Sequence, residues 1–154
     1  MVKRIFVVML LIVVGGGVNV YGSGKLFKQI LTGKGSDYSL QSGDTVIKIE
    51  FSDKGILLKQ LSDSNGGWNW AGEGAPITLL QECQIENEGR QLKWKLVSVD
   101  DKSDGKTRTV TTTYSDEDTK VKLRSVWVVH PGAGPVEHTV EVINEGKKAI
   151  GIGY

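Results

Sequence analysis

Few residues in this chain have the type and spacing that chemistry requires, and they are scattered. Asp100-Asp101-Lys102-Ser103-Asp104-Gly105 places Asp100, Asp104 and Gly105 at the first, fifth and sixth positions of a calcium loop. Lys102 stands at the third position and Thr111 at the twelfth, where the bidentate glutamate belongs, so the segment reads as a solvated hairpin turn and not a cation site. Two histidines, His130 and His138, offer a general acid or two metal ligands, but no third ligand follows at a supporting spacing. His138 shares an alternating face with valines and is expected inside. Cys83 lies in Leu79-Leu80-Gln81-Glu82-Cys83 without a nucleophile signature around it, and reads as a small buried hydrophobe. Gly33-Lys34-Gly35, Gly72-Glu73-Gly74 and Gly132-Ala133-Gly134 lack the remainder of any phosphate loop and read as turns. No catalytic residue, metal site or cofactor is expected from these groups.

The segment Gly67-Trp68-Asn69-Trp70-Ala71-Gly72-Glu73-Gly74-Ala75-Pro76 stands apart. Two tryptophans sit in a glycine-rich loop, and loops face water. Either both rings plug one end of the fold, or Trp68 and Trp70 present indole faces to a partner. Sugars, with C–H faces suited to aromatic stacking, are such a partner.

The elements that must position these residues are strands. The chain has 154 residues, 39% hydrophobic and 24% charged, which allows one globular domain and excludes a complete (β/α)₈ barrel. Nineteen basic residues against 18 acidic ones leave no electrostatic footprint for nucleic acid. Lys3 and Arg4 precede ten residues, Ile5 to Val14, without a polar side chain. That run is short of the ~20 that span a bilayer, so residues 1–22 read as a signal peptide cleaved after Gly22, against the alternative of an uncleaved anchor. The mature chain, 23–154, would carry 17 basic and 18 acidic residues, be secreted or periplasmic, and have no membrane attachment. Its one cysteine cannot form an internal disulfide.

Lys25 to Leu31 fits one helical turn or a first strand. Beyond it the period is two. Thr45 to Phe51 puts Ile47, Ile49 and Phe51 on one face, and Ile56 to Leu61 pairs back. Ile77 to Glu86 and Gln91 to Val99 read as two further strands. Asp104-Gly105 turns into Thr107 through Tyr114, which favours a strand through its β-branched threonines. Thr119 to Val129 is the longest strand, apolar on both faces at its far end. Val136 to Ile143 follows, with Glu137 and His138 on opposite faces, and Ala149 to Tyr154 begins another. Seven or eight strands with turns about every 8–12 residues predict an all-β fold, an antiparallel β-sandwich. A chain that stops in mid-strand predicts a partial sandwich over 23–154.

The stretch from Val126 to Gly146, V-W-V-V-H-P-G-A-G-P-V-E-H-T-V-E-V-I-N-E-G, resembles part of the N-terminal sandwich of α-galactosidase-like glycoside hydrolases, the melibiase group of family 36. There a strand leads through a short Gly/Pro loop to a P-V-E strand start and an N-x-G turn. The earlier order of hairpin, Gly-Trp loop and P-I is also similar. The likeness is close over 126–146 and loose over 45–154, and sandwiches of families 31 and 97 and of aldose epimerases share parts of it. The resemblance implies a galactose-mutarotase-like supersandwich ahead of a C-terminal barrel, and it is the barrel that holds the two catalytic carboxylates. This chain would then supply scaffold or substrate edge, with Trp68 or Trp70 at the margin of a galactoside-like sugar site. Epimerases use a histidine acid and a glutamate base; Glu137 and His138 point to opposite faces and cannot form that pair. The alternative is a free-standing secreted carbohydrate-binding sandwich that contacts sugar through the same two tryptophans.

Overall fold

Alternation of apolar and polar side chains builds this molecule. In the computed structural model, which describes residues 4–9 and 36–152, the described residues form strands and turns and no helix. The strands are β1 Arg4–Met9, β2 Ser36–Gln41, β3 Thr45–Ser52, β4 Gly55–Asp63, β5 Ala75–Ile77, β6 Glu82–Ile85, β7 Glu88–Gln91, β8 Lys95–Ser103, β9 Arg108–Asp116, β10 Val121–Val129, β11 Glu137–Asn144 and β12 Ile150–Gly151. They form three antiparallel sheets, ordered β1-β11-β10-β9-β8, β2-β3-β4-β5 and β12-β6-β7.

The first two sheets make the sandwich. Tyr38, Leu40, Ile47, Ile49, Phe51 and Ile56 from one meet Val110, Tyr114, Leu123, Trp127 and Val129 from the other in one core. Burial alternates strictly along β10, as the period of two requires. The small third sheet covers a second cluster of Cys83, Val121 and Val142, against which Ile85, Ile150 and Ile152 pack. β12 therefore has a partner: Ile150 pairs with Ile85 and Gly151 with Gln84. Burial raises the Cys83 thiol pKa, as expected of an interior hydrophobe.

Polar contacts fix the sheets to one another. The Tyr114 hydroxyl donates to the Gly55 carbonyl at 3.1 Å across the core. Arg108 grips Asp101 with two nitrogens, at 3.0 and 2.8 Å, and donates a third hydrogen bond to the Ser39 carbonyl at 2.7 Å. That guanidinium ties β2, an outer strand of one sheet, to β8, an outer strand of the other, and so guards two edges against pairing with another chain.

Beyond Gln41, the turn from β2 into β3 packs on the 131–135 loop. Gly43 N–H donates to the Gly132 carbonyl at 2.5 Å. Asp44 Oδ1 accepts from Gly134 N–H at 3.1 Å and from the Ser42 hydroxyl at 2.9 Å. Burial pushes the Asp44 carboxyl up, but these hydrogen bonds outweigh it and hold its pKa below the ordinary value. A Cβ on Gly43 would lie 2.7 Å from the Gly132 carbonyl carbon and 2.8 Å from Ala133 N, both backbone atoms. Gly43→Ala is therefore expected to cost about 2 kcal/mol, read as a lower urea midpoint with an unchanged slope.

The sequence reading differs from the fold in three places. Ile77 to Glu86 divides between β5 and β6, and Gln91 to Val99 between β7 and β8. At each break the chain passes from one sheet to another. β2 went unread, since its buried positions are Ser36, Tyr38 and Leu40, and a serine does not mark a core face. Arg4–Met9 pairs with β11, from Arg4 opposite Ile143 to Met9 opposite His138. The rest of 1–22, the cleavage point after Gly22, Lys25 to Leu31 and the last two residues lie outside the described residues.

Candidate functional site

The strand that leads into the β4–β5 loop carries a bulge within β4. Lys48 pairs with Gln60 but Ile49 pairs with Leu58, so Lys59 has no partner in β3. On the other side of β4, the three residues of β5 pair with Ile56 to Leu58 and stop. The edge of β4 beyond that point is completed by Asn69. Its Oδ1 accepts from Leu61 N–H at 2.9 Å and Ala71 N–H at 3.1 Å, and its Nδ2 donates to the Lys59 carbonyl at 3.2 Å and the Gly72 carbonyl at 2.9 Å. All four hydrogen-bonding positions of the amide are used. Trp70 N–H adds a bond of 2.8 Å to the Leu61 carbonyl. A side chain thus stands in for a strand, and the residues on either side of it are the two tryptophans.

The glycines let the loop turn within this frame. Gly72 has φ of 60° and Gly74 of 124°, a region side-chain-bearing residues avoid. Ser64 anchors the start of the loop, its hydroxyl donating to the Gly43 carbonyl at 2.7 Å. Asp63 Oδ1 accepts from Asn65 N–H at 2.8 Å, closing the Asp-Ser-Asn turn.

Trp68 is 77% exposed and Trp70 53%, so neither ring plugs the end of the sandwich. The other two tryptophans show the contrast. Trp127 is buried and its indole N–H donates to Ser125 Oγ at 3.1 Å, while Trp94 donates to the Leu80 carbonyl at 2.6 Å. Trp127 is satisfied inside and Trp94 half-buried, whereas the two indoles on the braced loop are exposed and each offers a ring able to stack on a flat, weakly polar face.

The remaining candidates lie elsewhere. His138 is buried, stacked on Trp127 with ring centroids 3.9 Å apart, and its Nε2 is 2.8 Å from Ser125 Oγ. Desolvation lowers its pKa to about 4, so it is a neutral interior residue, closed to substrate. His130 is exposed, with Nε2 3.4 Å from Glu137 Oε1. Glu137 and His138 do face opposite sides of β11. Asp104, which the calcium-loop spacing singles out, accepts from Lys106 and Thr107 N–H at 2.9 and 2.7 Å and closes its hairpin by itself. Its pKa falls below the ordinary value because of those two bonds. Among the described residues no cluster of three His, Cys, Asp or Glu side chains is placed to hold a metal. Sequence reasoning named both tryptophans but missed Asn69, whose one signal was its place between them. Comparison of the chain with family models, with curated proteins and with solved structures returned no match.

Proposed function

We propose that this protein is an exported β-sandwich that holds carbohydrate against the Trp68–Trp70 loop and contributes no catalytic group of its own. The observation that carries the reading is the pair of exposed indoles on a loop whose backbone Asn69 fixes before any ligand arrives. Exposed tryptophans are a standing cost in water unless a partner covers them. A pre-ordered loop spares the ligand the entropy of arranging its own site, which favours weak, stacking-based recognition.

A second reading follows from the 126–146 segment. In the folded chain it runs through the end of β10, the Pro131–Pro135 loop, β11 and the Asn144–Gly146 turn. That is the order of elements on which the likeness to α-galactosidase-like glycoside hydrolases rests. Under this reading the chain is the sandwich portion of such an enzyme, and the tryptophan loop lines the edge of a galactoside site in a C-terminal barrel.

Both readings meet in one experiment. The full chain is run on native gels cast with soluble galactomannan, glucan or no polysaccharide, beside Trp68→Ala and Trp70→Ala. Retardation by polysaccharide is expected, with about tenfold weaker binding in each variant, equivalent to about 1.4 kcal/mol. Folding stability should stay within about 0.5 kcal/mol, since both side chains face water. Competition by free α-galactosides favours the second reading. Unretarded migration in every gel, or retardation unchanged by both substitutions, overturns the proposal.

A further inference from the structure

We infer that the Trp68–Trp70 loop selects glycans bearing a protonated amine over glycans bearing carboxylates, an inference that rests on the carbohydrate reading and narrows its ligand class. The loop from 63 to 74 contains two carboxylates, Asp63 and Glu73, and no lysine or arginine. Asp63 spends Oδ1 on Asn65 N–H. Its Oδ2 lies 2.8 Å from the point where a side chain at Gly67 would begin, one residue from Trp68. Glycine at 67 is thus what lets a carboxylate oxygen lie close against the backbone of the residue that precedes Trp68.

The neighbouring cation does not offset this charge. Lys59, in the adjacent stretch of β4, has its Nζ held between Asp37 Oδ1 at 2.8 Å and Glu50 Oε2 at 2.7 Å. The hydrogen bonds it donates to Asp37 and Glu50 raise its pKa, so it remains a spent positive charge. The indole faces add negative potential of their own and attract ammonium groups. A hexosamine brings both features at once: C–H faces for the rings and an ammonium for Asp63. A uronate would meet Asp63 and Glu73 with like charge.

The test titrates the full chain, followed by tryptophan emission at pH 6, with three oligomers of equal length: glucosamine, neutral glucose and galacturonate. At low salt the glucosamine oligomer is expected to bind about threefold tighter than the neutral one, and galacturonate about threefold weaker, the scale of an exposed ion pair. Both differences should vanish at about 0.5 M salt, where screening reaches within a few ångströms. Asp63→Asn keeps an acceptor for Asn65 and should bring the glucosamine and glucose oligomers to nearly equal affinity; Glu73→Gln should relieve part of the galacturonate penalty. Equal affinities for all three oligomers, or tighter galacturonate binding, overturn the selectivity while leaving the carbohydrate reading intact. Emission unmoved by any of the three overturns both.

Discussion

Asp116→Ala is expected to lower the unfolding free energy by about 3 kcal/mol, the largest loss from any single carboxylate here. Asp116 ends β9 and is 2% exposed. One oxygen, Oδ2, accepts from Lys93 N–H at 2.6 Å. The other, Oδ1, accepts from both the N–H and the hydroxyl of Thr119 at 2.8 Å. One side chain thereby closes the β9–β10 turn and ties down the segment that carries the chain from β7 into β8. Truncation leaves two backbone donors without their acceptor, and each costs about 1–3 kcal/mol where water cannot fully replace it. Asp116→Asn is expected to lose about 2 kcal/mol, because an amide keeps one acceptor for Thr119 but turns an NH₂ group toward Lys93 N–H. Exposed pairs such as Lys148–Glu86, with both side chains more than half in water, should contribute under about 1 kcal/mol by comparison. Urea unfolding at pH 7 measures all three. A loss within 0.5 kcal/mol for Asp116→Ala would show that the turn holds without its clamp.

Where apolar and polar residues alternate over a half-buried strand, the sequence spoke clearly: Ile47, Ile49 and Phe51 in β3 and Val121, Leu123, Trp127 and Val129 in β10 are buried as the period requires. The same rule fails where a chain changes sheets without changing period. Leu92, Trp94 and Leu96 alternate with Lys93 and Lys95 as one strand would, yet Leu92 packs in the second cluster and Leu96 on the main core, with Trp94 against both. Periodicity records which face is buried and is silent on which neighbour buries it. Glu141 makes the same point from the other side. It alternates outward from His138 as expected, yet is 5% exposed, with Oε2 accepting from Arg124 at 2.9 Å. The candidate site was half legible. Composition placed Trp68 and Trp70 in a loop, but whether a ring packs back or faces water depends on the β4 bulge at Lys59 and on Asn69 reaching across eight residues to Leu61. Those are long-range geometric facts, with no local signature to read.

Mild acid should weaken the fold through His138. The residue is 6% exposed, and burial alone depresses its folded pKa to about 4 against an ordinary 6.5. Below pH 6.5 the unfolded chain takes up a proton that the folded chain refuses until about pH 4, so stability rises with pH across that window and is lost on acidification. From pH 7 to pH 4.5 the expected loss is about 2.5 kcal/mol, measured as the fall in urea unfolding free energy. Burial is the cause of that refusal, and the hydrogen bonds around the ring suit its neutral form. Ser125 Oγ accepts from the Trp127 indole, which leaves its own hydrogen to donate to His138 Nε2 and satisfies a neutral ring. His138→Phe retains an aromatic ring against Trp127 and removes the titration, so its stability should be nearly flat between pH 7 and pH 4.5 whatever its absolute value. Asp116 and Asp44, with pKa values held below the ordinary carboxylate range, keep their contributions above that range and lose them only in stronger acid. The two windows are therefore separable. A wild-type chain as stable at pH 4.5 as at pH 7, or a His138→Phe chain with the same acid slope as the wild type, would remove His138 as the cause.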